Sequence, residues 1–375
     1  MLTNAARLFY LLTQNLALTG LHLARHFWAA DPATAAAELL PVVTQLQAIA
    51  AHQALAANTA SLAEQGTPVE REWLPYADAI PGWSNNGKLL ADVLTYPNWF
   101  RTRLLERGYQ PEVADRLGLT SLEKITTTNI TDAATDIAVI DAAARPRVGY
   151  VRVVGADACA NCILLAGRFY WVEGFQRHPN CACTHQLAAW SNADQAQKWA
   201  IEQQTAAFDR LTPEQQDQKF GKDAAEAIRQ GADIGQVLNE RRGRKYGGAY
   251  ERAGAYQYDP MRGTYHFDPN GTTTVRTRPS ATTREGMRGV GGYAQQVRGG
   301  LTRQTIPSLM QQSGGDRDVL KGLLQEHGYI VDRDTNGRLI VPEFNLAPTY
   351  AGTLGGDVTG TALHQQLAKV MAQFR

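Results

Sequence analysis

Cysteine is scarce in this chain: there are four in 375 residues, and all of them fall between positions 159 and 183. No apolar run reaches the roughly 20 residues that a bilayer-spanning helix needs. H-E-x-x-H, G-x-S-x-G and G-x-x-x-x-G-K-[ST] are all missing, which removes the signatures of common zinc proteases, α/β-hydrolases and P-loop enzymes. The opening 20 residues resemble a secretory signal only weakly, since they lack a basic start and Gln14 and Asn15 interrupt the apolar run. A cytoplasmic origin with reduced thiols is therefore expected, and two disulfides are not.

What is present gathers around those cysteines. Cys159 and Cys162 form C-x-x-C, Cys181 and Cys183 form C-x-C, and His178 and His185 flank the second pair. Paired thiolates separated by a short loop are what a tetrahedral Zn²⁺ site requires. Cys159, Cys162, Cys181 and Cys183 are the first choice of ligands, with His178 as the replacement for one of the second pair. Four or more good donors saturate a metal, so the zinc is expected to be structural and the chain not to be an enzyme. A zinc deaminase would need H-x-E followed by P-C-x-x-C, an order absent here. A thioredoxin-like role for Cys159 and Cys162 would want a βαβ setting, whereas the flanks read as strands: 148–155, 167–172 and 181–190.

The fold class expected is α+β and mainly helical. Residues 1–146 form a helical N-terminal body, 147–190 a small zinc-pinned β unit and 191–246 a helical segment. Residues 247–300 follow as an extended Gly/Arg-rich arm or linker, and 301–375 as a small αβ C-terminal region and tail. Helices are expected over 4–28 and 34–64, with Asp31 as N-cap of the second and Pro32 in its first turn. Shorter ones are expected over 88–95, 99–107, 111–117, 122–145 and 192–210, and Thr212 to Gln215 reads as a capping box. Residues 316–327 form a late helix, and strands at 329–331 and 339–341 are joined through Asn336-Gly337. The tail over 361–374 is expected to be helical.

The net charge of +1 hides an asymmetry. Between Arg229 and Arg303 there are 13 Lys/Arg against 6 Asp/Glu. Within that stretch Arg241, Arg242, Arg244 and Lys245 are the candidate phosphate contacts. Arginine and tyrosine in an extended arm suit nucleic acid or an acidic protein surface.

The order C-x-x-C, G-R-F-Y, H-P-N-C-x-C resembles the Mu F-like minor head proteins, or head morphogenesis proteins, of tailed bacteriophages. Cys159, Cys162, Gly167, Tyr170, His178, Pro179, Asn180, Cys181 and Cys183 carry the resemblance. It continues through Phe220-Gly221, 232–234, NERRG at 239–243, TTREG at 282–286 and LLQEHGYI at 323–330, as in phages of actinobacteria. Residues 120–335 are covered. The resemblance implies a low-copy minor capsid protein of the virion, made in the host cytoplasm and placed inside the capsid at the portal. The implied partners are the portal protein and capsid or scaffold proteins, and the implied role lies in head assembly and DNA packaging or ejection. Phage DNA is an expected partner of the basic arm. The alternatives are a zinc-containing nucleic-acid-binding protein and, behind it, a zinc-dependent hydrolase. Arg168 and Arg177 are the only cations between 156 and 185, which argues against DNA readout by the cysteine loops themselves.

Overall fold

The computed structural model describes residues 2–155, 158–167, 169–171, 181, 183–189, 191, 193–232, 234, 237, 255–259, 264–268 and 303–340. Helices dominate, accompanied by small antiparallel sheets. Three long helices make the body: α1 (Asn4–Ala30), α2 (Ala35–Glu64) and α4 (Pro111–Ala143). Leu39, Leu46 and Ile49 of α2 meet Leu16 and Leu23 of α1 and Ile130 and Ile137 of α4 in one apolar core. Thr3 caps α1 by accepting from the Ala6 amide. Thr34, not Asp31, is the N-cap position of α2; Asp31 closes α1 and its carboxylate receives the Ala33 amide at 2.9 Å.

Two pairs of expected short helices are continuous. Residues 88–95 and 99–107 merge into α3 (Leu90–Glu106), which contains Pro97, and 111–117 and 122–145 merge into α4. Pro97 is buried, so packing offsets the amide it cannot supply. Gly118 breaks nothing: a Cβ there would stand 2.6 Å from the Trp28 ring, so the glycine lets α4 lie against α1.

A buried carboxylate pins the end of α4. Asp141 is fully buried and receives Arg71 Nε at 2.5 Å, Asn58 Nδ2 at 3.0 Å and Arg145 Nε at 3.3 Å. After it come β2 (Val148–Val153), α5 (Ala160–Leu164), β3 (Phe169–Tyr170) and β4 (Thr184–Ala189). The three strands fall where the sequence pattern places them, and the sheet order is β3-β2-β4, antiparallel throughout. Its attachment to the body includes Gln65 Nε2 donating to the Leu187 carbonyl at 2.7 Å and the Thr3 amide donating to Gln186 at 2.8 Å.

Helices α6 (Ala193–Asp209), α7 (Pro213–Phe220) and α8 (Lys222–Arg229) follow. The range read as an extended arm contains a hairpin, β5 (Ala255–Asp259) paired with β6 (Thr264–Asp268). The last described part holds α9 (Ile306–Gln312), α10 (Arg317–Glu326), β7 (Ile330–Arg333) and β8 (Leu339–Ile340). The β7–β8 turn is the expected one, and β7 also pairs with a two-residue strand near the body, β1 (Leu74–Pro75). The expected tail helix, 361–374, lies outside the described residues. Among the described residues, no helix is long and apolar enough to cross a membrane.

Candidate metal centre

The sulfurs of Cys162, Cys181 and Cys183 all lie within 4.8 Å of one another, and each of these residues is 2% exposed. Cys162 Sγ and Cys181 Sγ are 3.6 Å apart. Local structure explains how they meet. Cys162 rides on the single-turn α5 between β2 and β3, and Cys181 and Cys183 lead into β4. Because β3 and β4 flank β2 on either side, the two cysteine pairs are brought to the same end of the sheet.

Cys159 stands beside the trio and is half-buried. Its sulfur accepts the Cys162 backbone amide at 3.4 Å, an N–H···S contact that favours a thiolate. His178 lies outside the described residues. His185 is buried edge-on to the Tyr150 ring, 4.6 Å between centroids, and does not join the trio. The expected set is therefore brought together in three of its five members, with a fourth adjacent. Arg241, Arg242, Arg244 and Lys245 lie outside the described residues.

One side chain at the cluster escaped the sequence pattern. Arg152, near the end of an entirely buried strand, is 2% exposed and its Nη1 lies 3.6 Å from Cys162 Sγ. Side-chain alternation along β2 puts Val148, Tyr150 and Arg152 on one face. Val148 and Tyr150 enter the helical core, and Arg152 ends against the sulfurs. Burial pulls its guanidinium pKa down, but Cys183, Tyr170, Cys162 and Cys181 outweigh that and raise it above the ordinary arginine value. A charged residue inside VGYVRVVG was the available signal.

The thiols press on one another. Hydrogen bonding with Cys159, then with Cys181 and Cys183, and burial after these, raise the Cys162 thiol well above the ordinary range. Cys162 lowers Cys183, yet Cys181 and burial prevail and push it up to about 12. Three buried sulfurs converging at this spacing are close enough to bind a metal ion. A dication replacing the thiol protons relieves their crowding, and the adjacent guanidinium offsets the surplus negative charge of three or more thiolates. The residues fit a thiophilic metal. No family model matches the chain, and neither curated proteins nor solved structures gave a match.

Proposed function

We propose that the chain is a non-enzymatic minor capsid protein of a tailed phage, acting inside the head at the portal, in which a structural Zn²⁺ pins the β unit together. The observation that carries the metal part is the convergence of three buried sulfurs on one point with Arg152 behind them. Cys162, Cys181 and Cys183 would hold the ion, and Cys159 is the nearest further sulfur. Zinc is favoured over oxygen-loving dications because every donor in the trio is a thiolate. Bound there, it supplies cross-linking between the β2–β3 connection and the start of β4. A hydrolytic zinc needs an open position that substrate reaches, and burial of all three donors speaks against that use.

The head and portal assignment rests on the resemblance of the cysteine and H-P-N-C-x-C pattern, extended by the helical body as a packing surface. Phage DNA is the proposed partner of the basic stretch between Arg229 and Arg303. The two ends of that stretch serve the fold: Arg229 pairs with Asp217 and Glu226, and Arg303 is buried. The DNA contacts are therefore assigned to the cations between them. The test is co-expression with the cognate portal protein, co-purification, and elemental analysis of the same sample. The expected result is a stable complex carrying one zinc per chain. A metal-free chain that never co-purifies with portal would overturn the reading. Binding of the full chain to duplex DNA should weaken steeply between 50 and 200 mM salt, about 10³-fold or more if six or more phosphates are neutralised.

A further inference from the structure

The piece 303–340 is held to the helical body by contacts from far along the chain. Arg303 is 8% exposed, its guanidinium lies 3.6 Å over the Tyr329 ring centroid, and the Trp83 ring is 5.7 Å away. One arm donates to the Ala79 carbonyl and the other to the His327 carbonyl at 3.0 Å. The guanidinium thus couples both sides of the contact. Its backbone amide donates to the Gly87 carbonyl at 2.7 Å, and a Cβ at Gly87, where φ is +79°, would stand 2.0 Å from the Arg303 oxygen. Only glycine admits that approach.

A second point of attachment repeats the arrangement at the other end. β7 adds to β1, with Leu74 opposite Val331 and Pro75 opposite Ile330, and the Tyr76 amide donates to the Tyr329 carbonyl at 2.9 Å. Arg317 covers the Trp73 ring at 4.6 Å, pairs with Glu72 at 2.5 Å and donates to the Ala143 carbonyl at 2.9 Å. Between these points Leu309, Met310, Leu320 and Leu324 are buried in the same apolar core as the body.

We propose that residues 303–340 are a strap held by its contacts alone, and that the face formed by 72–87 and the end of α4 is a seat that recognises it through two points, the buried Arg303 and the strand Ile330–Arg333. The seat holds the strap without help from the covalent link through 238–302, so that the basic stretch is anchored to the folded body at both of its ends. The inference goes beyond the metal and capsid reading and does not depend on it.

Cutting the link tests this directly. A recognition sequence for a site-specific protease is inserted within 271–300 of the full chain, and the cleaved protein is run by gel filtration at micromolar concentration. Cleavage removes the covalent tether and its effective concentration, so the strap must then hold by its contacts alone. The expected result is co-elution of the C-terminal fragment with the remainder. Arg303→Met and, from the opposite side, Gly87→Val should each release the fragment, with zinc content unchanged and helical circular dichroism at the wild-type level before cutting. A wild-type fragment that separates on cutting overturns the proposal, as does retention in both variants equal to wild type. Zinc content is read on the same samples, so failure of the strap and failure of the metal reading are distinguishable.

Discussion

The helical body and the β unit bury their interiors by opposite means. In the body, helices of 27, 30 and 33 residues lay continuous apolar faces against one another, and burial of that area is the main source of stabilisation. The β unit has strands of six, two and six residues, too few to secure a core by burial. It substitutes convergence of sulfurs on one point and a leaning contact with α2 and α4. What the comparison teaches is that the two regions should fail separately: the body through its packing, the β unit through loss of the sulfur cluster.

The largest expected effect is therefore at the sulfurs. Cys162→Ser should abolish metal binding and expose 148–189 to protease, since a structural zinc contributes on the order of 10 kcal/mol to a unit of this kind. The body should keep its helical signal. Equal protease resistance in mutant and wild type would break the comparison. pH sharpens it further. In the chelated protein the Cys183 thiol, raised from 9.0 to about 12, favours the folded state below pH 9, and that contribution is lost as pH climbs toward 12. The metal-loaded protein should behave oppositely, releasing metal as pH falls and protons compete for the thiolates. Thermal melts of both forms from pH 5 to 10 read the two signs.

Next in size is the carboxylate that ties α4 to the segment before β1. Asp141→Ala leaves Arg71 and Arg145 facing a void, and loss of one partner from a buried ion pair costs about 3–5 kcal/mol. Urea unfolding should show the body's midpoint falling while metal content measured below the transition stays at wild-type level.

The same division separates what was legible in the sequence from what was not. All three strands of the β unit and the cysteine convergence were readable, because β-branched runs and close thiol spacing are local signals. The long helices were readable in kind, but α3 and α4 were each split in two. Pro97 and Gly118 look like stops in isolation, and burial against the body decides otherwise. Arg152 was missed because its counterparts are sulfurs ten and more residues away. The seat for 303–340 was invisible for a related reason: β1 has two residues, and its partner strand begins more than 250 positions later. The hairpin of β5 and β6 fell inside a stretch read as an extended arm, where glycine and threonine mask alternation.

The smallest effect tests whether the boundary between the regions is real. Thr212 caps α7 through a reciprocal box: its hydroxyl accepts the Gln215 amide at 3.3 Å, and Gln215 Oε1 accepts the Thr212 amide at 2.9 Å. Thr212→Ala should cost about 1 kcal/mol. The helix it starts reaches α6 and the cysteine loop at its far end. Phe220 packs edge-on to Phe208, 5.1 Å between centroids, and Lys219 donates to the Ala158 carbonyl at 2.7 Å, next to Cys159. If the metal alone fixes the cysteine loop, the variant shifts the melting curve slightly and leaves the rate of zinc loss to a chelator unchanged. Should zinc leave several-fold faster, Lys219 and its helix belong to the support of the site, and the β unit and its neighbours stand or fall together.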